Sequence, residues 1–154
     1  LSREHFKLLA DNIPVIIWTA SRDGFYDYFD HQWYNYTGLT FDHSKEMAWK
    51  QVIHPDDLGS TLVEWESSMN KGKPFKKENR LRSADGAYRW HLVQALPFKS
   101  KEGEILAWFG VETDIDDQKK EMKKKDEFIG MASHELKTPV TMLKIFTEIM
   151  LLDA

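Results

Sequence analysis

Apolar positions recur every seven residues in the C-terminal third of the chain. The series is Ile115, Met122, Ile129, Leu136, Leu143 and Met150. If it occupies position a of a heptad, Ala132 and Phe146 fall at position d, and together these positions form one apolar seam along a helix. The pattern therefore predicts a helix that packs its seam against other helices.

The preceding two thirds of the chain has a different pattern, with short apolar segments separated by the predicted turns Asp23-Gly24, Asp85-Gly86 and Glu102-Gly103. Alternating and β-branched segments indicate strands, whereas apolar spacings of three and four indicate helices. The predicted elements, in chain order, are a helix over 3–12, strands over 15–19 and 25–29, a helix over 31–36, short helices between 40 and 53, a helix over 58–70, and strands over 75–82, 88–98 and 105–113. This order predicts an α+β fold, in which a five-stranded antiparallel sheet with small helices on one face precedes a long C-terminal α-helix.

The composition changes abruptly after the last predicted strand. Ten of the twelve residues from 116 to 127 are charged, and no glycine or proline interrupts them. This stretch is predicted to be a continuous helix, but its polar d positions, Gln118 and Lys125, favour only a weak coiled coil. Three parts are therefore expected: a folded domain over 1–115 that includes a short N-terminal helix, a charged linker helix over 116–127, and a more apolar helix over 128–154.

Bulk composition argues against several classes of protein. The net charge of −4 argues against a nucleic-acid-binding surface, which requires clustered basic charge. Because the chain has no cysteine, it forms no disulfide bond and no thiolate metal site, which fits a reducing compartment such as the cytoplasm. No apolar run approaches the length of a membrane span. A cytoplasmic domain is therefore expected.

Candidate chemistry lies on the C-terminal helix. His134 falls at position f, directly away from the seam, with the carboxylate of Glu135 beside it and Thr138 one turn later. A histidine on the solvent-facing side of a bundling helix is placed to react with an outside partner. No histidine cluster has metal-ligand spacing, so His54, in a loop before a predicted helix, is expected to make structural hydrogen bonds and no metal is expected.

Several separate motifs in the first two thirds of the chain occur in an order typical of one family. They are Ile13-Pro14-Val15-Ile16-Ile17-Trp18, Tyr36-Thr37-Gly38, His54-Pro55-Asp56-Asp57, Arg80-Leu81-Arg82, Asp85-Gly86, Tyr88-Arg89-Trp90, and Gly110 with Asp114-Ile115. Through these motifs the region from about residue 12 to residue 116 resembles a PAS sensor domain of the subtype with a His-Pro-Asp-Asp motif. The closing signature departs from the family pattern, because Asp116 stands where a threonine or serine is usual.

The resemblance implies an internal PAS cavity whose occupant is unknown. A flavin photoadduct of the light-sensing type is excluded, because it needs a cysteine and the chain has none. Other ligands and a packed, empty core are the alternatives.

The segment from Phe128 to Pro139 resembles the H-box of the dimerisation and phosphoacceptor domain of sensor histidine kinases, and residues 125–152 resemble the first helix of that domain. The resemblance implies that His134 is the phosphoacceptor. It further implies that Glu135 orients the imidazole and accepts its proton, and that Thr138 assists hydrolysis of the phosphoryl group on a partner regulator.

The same resemblance implies the wider reaction. The parent protein would be an ATP-dependent protein-histidine kinase that uses ATP and Mg²⁺, forms a homodimer through this helix, and passes the phosphoryl group to the receiver domain of a response regulator. Neither the second helix of the phosphoacceptor domain nor an ATP-binding domain occurs in the sequence, so the chain alone is expected to be inactive and to hold no cofactor of its own. The alternative is a non-catalytic PAS module whose main role is dimerisation or interaction.

Overall fold

A computed structural model of the chain describes residues 15–45 and 48–152, together with Glu4 and Leu8. Within these ranges the side chains of residues 48, 49, 136, 138–142, 146 and 152 are not described. Apart from Glu4 and Leu8, the predicted helix over 3–12 lies outside the described residues. The chain divides into two compact units, Leu1–Asp116 and Asp117–Ala154.

The described residues form five strands and five helices, and the predicted α+β fold is confirmed. The strands are β1 (Val15–Ser21), β2 (Tyr26–Phe29), β3 (Phe75–Arg82), β4 (Tyr88–Lys99) and β5 (Ile105–Asp114). The helices are α1 (His31–Thr37), α2 (Phe41–Ser44), α3 (Ala48–Val52), α4 (Pro55–Lys71) and α5 (Asp116–Leu152). The three predicted turn glycines all have positive φ, between 87° and 92°, as expected for hairpin turns: Gly24, Gly86 and Gly103.

The sheet has the strand order β2-β1-β5-β4-β3, and each neighbouring pair is antiparallel. The first and last strands of the sheet-forming region therefore lie side by side at its centre. Helices α1 to α4 all fall between β2 and β3 in the chain. Trp33 of α1, Val52 of α3 and Trp65 of α4 join the same buried cluster as the strand residues, so these helices cover one face of the sheet.

Aromatic side chains fill the space between that face and the helices. The Trp18 ring lies 5.1 Å from that of Tyr26 and 6.0 Å from that of Trp65, in both cases edge to face. Trp65 in turn packs edge to face on Trp108 at 4.9 Å, and Trp108 is fully buried. Edge-to-face contacts of this kind add stability beyond the burial of apolar area. The core is consequently densely packed with aromatic rings.

The central tryptophan of this core occupies the space left by a glycine on the neighbouring strand. Trp18 is paired directly with Gly110 across the two strands. A Cβ atom built on Gly110 would lie only 2.0 Å from the Trp18 indole, well inside any allowed contact. Glycine is therefore required at position 110 for the indole to lie over the β5 backbone.

We expect the Gly110→Ala variant to be destabilised by about 3 kcal/mol, because the added methyl group must displace a buried indole from a packed core. The measurement is the free energy of unfolding in urea. Gly59→Ala is the matched control, since Gly59 lies within α4 and a Cβ there meets nothing within 4 Å. That control should gain about 0.5–1 kcal/mol through better helix propensity. Equal changes in the free energy of unfolding for the two substitutions would contradict the close contact between Trp18 and Gly110.

Candidate functional site

The candidate reactive histidine lies on a long helix with its side chain in solvent. Helix α5 runs without interruption from Asp116 to Leu152, so it includes His134, Glu135 and the Thr138-Pro139 step. His134 and Glu135 are both exposed. The side chain of Thr138 lies outside the described residues, so its predicted position beside His134 stays a prediction. An exposed imidazole next to a carboxylate can act as a nucleophile toward a group carried by another molecule.

Several described residues of the apolar seam of this helix are exposed. Four of its a-position residues are between 60% and 71% exposed: Met122, Ile129, Leu143 and Met150. Large apolar side chains exposed in a row mark an interaction surface, because burying them removes apolar area from water. In the heptad, position f lies opposite this seam, so a partner that covers the seam leaves His134 accessible.

The His-Pro-Asp-Asp motif forms the start of α4 and joins it to β3. His54 is the N-cap residue, and its Nδ1 accepts a hydrogen bond from the backbone N–H of Asp56 at 3.1 Å. The His54 ring also packs edge to face on Tyr88 at 4.7 Å. The expectation that His54 makes structural hydrogen bonds is confirmed. Pro55 occupies the first helical turn, where its missing N–H costs nothing.

Asp57 of the same motif holds Arg80 of β3 through three hydrogen bonds. The Arg80 guanidinium donates from Nε at 3.0 Å and from Nη2 at 2.8 Å, and the Arg80 backbone N–H donates at 2.9 Å. The guanidinium also lies 5.0 Å from the ring centre of Trp90. The side-chain hydrogen bonds from Arg80 lower the pKa of Asp57, against an opposing effect of burial. The motif is thus a structural clamp between helix and sheet.

A second charged cluster lies where β5 ends and α5 begins. Arg89 of β4 donates to the carboxylate of Asp114, from Nε at 2.6 Å and from Nη2 at 3.3 Å. The Asp114 carboxylate also accepts from the backbone N–H of Asp116 at 2.9 Å. Burial favours a higher pKa for Asp114, but these hydrogen bonds outweigh it and the pKa lies below its usual value.

Asp116, which stands where the family usually has threonine or serine, makes its own contacts at this junction. Its carboxylate accepts from the backbone N–H of Trp90 at 3.1 Å and lies 3.8 Å from Nη1 of Arg89. A negative charge at a helix N-terminus also interacts favourably with the helix dipole. We expect a threonine or serine here to supply a hydroxyl without this charge. The carboxylate therefore ties the first residue of α5 to β4 electrostatically.

Among the described residues, a small cavity lies within the aromatic core of the folded domain. Its volume is about 20 Å³, and it is lined mainly by core aromatic and aliphatic residues, with Asn79 and Glu112 as the polar exceptions. That volume holds about one water molecule. A larger ligand in this cavity would have to displace aromatic side chains. Among the described residues, no group of three or more histidine or acidic side chains is arranged to hold a metal ion.

Comparison with known proteins agrees with this architecture. A family profile described as PAS fold matches residues 26–112. A protein of Sinorhizobium fredii, y4lL, is 35% identical over 119 residues, which cover 77% of this chain and 14% of that protein. The peroxide stress-activated histidine kinase mak1 of Schizosaccharomyces pombe is 33% identical over 130 residues, 84% of this chain and 8% of that protein. The chain thus spans a small part of the length of these relatives.

A solved structure is similar as well. The sensory box histidine kinase/response regulator of Burkholderia thailandensis superposes with a TM-score of 0.59 at 21% identity, covering 86% of this chain and 98% of that one. At that identity the likeness concerns the fold.

The chain belongs to the PAS-fold family, and its sequence is related to those of histidine kinases that carry this domain. None of the helices in the described part of the chain is long and apolar enough to cross a bilayer.

Two buried polar groups of the core were not singled out from the sequence. Glu112 lies between Val111 and Thr113 in β5, and Asn79 lies between Glu78 and Arg80 in β3. Strict alternation from the buried Trp108 through Gly110 would have placed Glu112 on the core face. The signal for Asn79 is weaker, because polar residues flank it on both sides.

We expect Asp57→Asn to destabilise the folded domain by about 2 kcal/mol at pH 7, because a partly buried, charge-assisted pairing with Arg80 is lost. The folded-state pKa of Asp57 is depressed, so its contribution is present above the unfolded-state pKa and disappears as pH falls through the folded-state value. The difference in stability between the two proteins should therefore begin to shrink below about pH 4 and vanish only below the folded-state pKa of Asp57. Asp56→Asn is the control, since the Asp56 side chain is 77% exposed. An equal loss in both variants would contradict the clamp.

Proposed function

We propose that the chain is the signal-input PAS domain and phosphoacceptor helix of a sensor histidine kinase, with His134 as the phosphorylated residue. The observation that carries this proposal is the exposed His134, with Glu135 beside it, on a continuous helix whose apolar seam lies on the side opposite the histidine. The relatives named histidine kinases support the same class of parent protein.

The chemistry at His134 is nucleophilic. A neutral ring nitrogen attacks the γ-phosphorus of ATP, a phosphorus–nitrogen bond forms, and the bond to the bridging oxygen breaks so that ADP leaves. Glu135 is the adjacent carboxylate that orients the imidazole and takes up the proton released from it. The ATP-binding domain of the parent supplies the nucleotide and Mg²⁺, which neutralises the phosphate charge.

The phosphoryl group then passes from His134 to an aspartate of a response-regulator receiver domain. Thr138 lies four residues after His134, which places it one turn further along the same helical face. From this position its hydroxyl would orient the water that hydrolyses the phosphoryl group on the regulator. His134 and Thr138 would therefore serve opposite directions of signalling from one surface.

The signal that reaches this helix is read by the PAS domain. The two Schizosaccharomyces pombe relatives mak1 and mak2 are called peroxide stress-activated histidine kinases. Since this chain has no cysteine, oxidation of a thiol within it is excluded as a response to peroxide. Any peroxide response here would have to act through another group or another domain.

A non-catalytic interaction module is the alternative function. The exposed seam of α5 favours it as much as it favours a kinase, because both need a helical partner. The two functions differ in whether His134 accepts a phosphoryl group.

We expect the full chain to be phosphorylated at His134 when it is mixed with ATP, Mg²⁺ and the ATP-binding domain of its parent kinase. Phosphorus–nitrogen bonds hydrolyse in acid, so the label should be lost in acid and retained in base. His134→Gln should abolish the label, and Glu135→Gln should slow labelling by at least tenfold without changing the fold. His31→Gln, at another exposed histidine, is the matched control. Label that persists in His134→Gln, or no label on the intact chain, would favour the interaction module.

We further propose that the chain forms a homodimer through α5, because one helix alone cannot bury the seam. Sedimentation should show self-association of the intact chain that weakens at least tenfold in Ile129→Lys, which places a charge in the seam. Glu127→Lys is the control, since it adds the same side chain at an exposed position outside the a and d series. A chain that ends at Glu127 should be monomeric. If that shortened chain dimerises as tightly as the intact one, the PAS domain holds the interface instead.

A further inference from the structure

Glu112 carries a buried carboxyl group in the core of the PAS domain, and it has no role in the phosphotransfer proposed for His134. It lies on the core face of β5, is 8% exposed, and is paired across the sheet with Val93 of β4 and Ile16 of β1. Its Oε2 atom has no hydrogen-bond partner among the described residues. A buried carboxylate with an unpaired oxygen is strongly unfavourable, whereas a neutral carboxylic acid tolerates the same site far better.

The carboxyl group separates two spaces in the domain. On one side it lines the core cavity of about 20 Å³, together with Asn79. On the other it lines an open cleft of about 220 Å³ between α1 and the sheet. The remaining residues of this cleft, named here the Glu112 cleft, are Ile16, Gln32, Tyr36, His91 and Asp114. A proton can therefore reach the buried carboxyl group from solvent without opening the core.

The groups that face Glu112 come from four strands and one helix cap. They are Trp18 of β1, Tyr26 of β2, Asp30 at the N-cap of α1, His91 of β4, and Asp114 of β5 with its partner Arg89. Burial raises the pKa of Glu112 to about 8, the nearby polar N–H of the Trp18 indole opposes this, and the charge of Asp30 adds to it. Burial lowers the pKa of His91, so His91 is neutral near pH 7 and does not offset a charge on Glu112.

We propose that Glu112 is a proton-binding site that exchanges with solvent through the Glu112 cleft, and that loss of its proton in alkaline solution is transmitted along β5 to the start of α5. The ligand of this site is the proton itself. The proposal is independent of whether His134 is phosphorylated.

The path of transmission is short. Asp114 lies two residues beyond Glu112 on the same face of β5, about 7 Å along the strand. Its carboxylate holds both Arg89 and the backbone N–H of Asp116, the first residue of α5. A second negative charge on this face repels Asp114 and competes for Arg89. Ionisation of Glu112 therefore changes the contacts that fix the first residue of the helix.

The first experiment follows the protonation of Glu112 in the full chain. In protein with ¹³C-labelled glutamate, one side-chain carboxyl resonance should titrate with a midpoint of about 8 and be absent from Glu112→Gln. Glu104→Gln is the control, since Glu104 is exposed in the turn before β5. Backbone amide resonances of Asp114 and Asp116 should shift with the same midpoint. A Glu112 that is ionised at pH 6, or a midpoint unchanged in Glu112→Gln, would overturn the proposal, as would amides of Asp114 and Asp116 that do not respond.

Stability gives a second, independent measurement. Because the folded-state pKa of Glu112 lies above its unfolded value, the proton stabilises the wild type fully below the unfolded pKa, and this stability is lost as pH rises toward about 8. The unfolding constant of the wild type should thus rise relative to that of Glu112→Gln by about tenfold per pH unit between pH 5 and pH 8. The ratio should then level off. A constant ratio across this range would overturn the proposal. His91→Gln should retain the alkaline transition, and its loss there would assign the transition to His91.

Discussion

The fold depends on one close contact, in which the Trp18 indole lies against the bare backbone of Gly110. Pairing of β1 with β5 brings these two residues opposite each other at the centre of the sheet. Because the indole occupies the space of a missing side chain, it reaches both Tyr26 and Trp65. The aromatic cluster that joins sheet to helices is thus built outward from this pair. Any side chain at position 110 would move the indole and every ring packed on it.

Dense aromatic packing also leaves little free space among the described side chains at the centre of the core. The cavity beside Asn79 and Glu112 holds about one water molecule, so a bulky cofactor there would require the rings to rearrange. A change in charge needs no additional volume. A change in the protonation of the buried Glu112 carboxyl group therefore fits this core without new space, whereas a large ligand in the cavity does not. Glu112 lies on β5, the strand that leads into α5.

Local patterns were enough to predict the strands, the turn glycines and the extent of the long helix, because each depends on a few neighbouring residues. Heptad phase alone placed His134 opposite the apolar seam. The order of the strands could not be predicted in this way, since pairing of β1 with β5 joins residues far apart in the chain. The setting of Glu112 depends on this long-range pairing, and the clamp of Asp57 on Arg80 joins α4 to β3 across 23 positions of the chain. The roles of Glu135 and Thr138 stay predictions from family resemblance.

The junction after β5 determines how a change in the sheet can reach the helix. Asp114 ends the strand and Asp116 begins the helix, and the Asp116 N–H is hydrogen-bonded to the Asp114 carboxylate. Arg89 of β4 contacts both carboxylates, so the strand end and the helix start share one cation. A hydroxyl at position 116 would remove the ionic contact of this residue with Arg89 and leave the contact of Asp114 with Arg89. The second carboxylate makes the two positions compete for Arg89. A shift in charge near Asp114 is therefore felt directly at the first residue of α5.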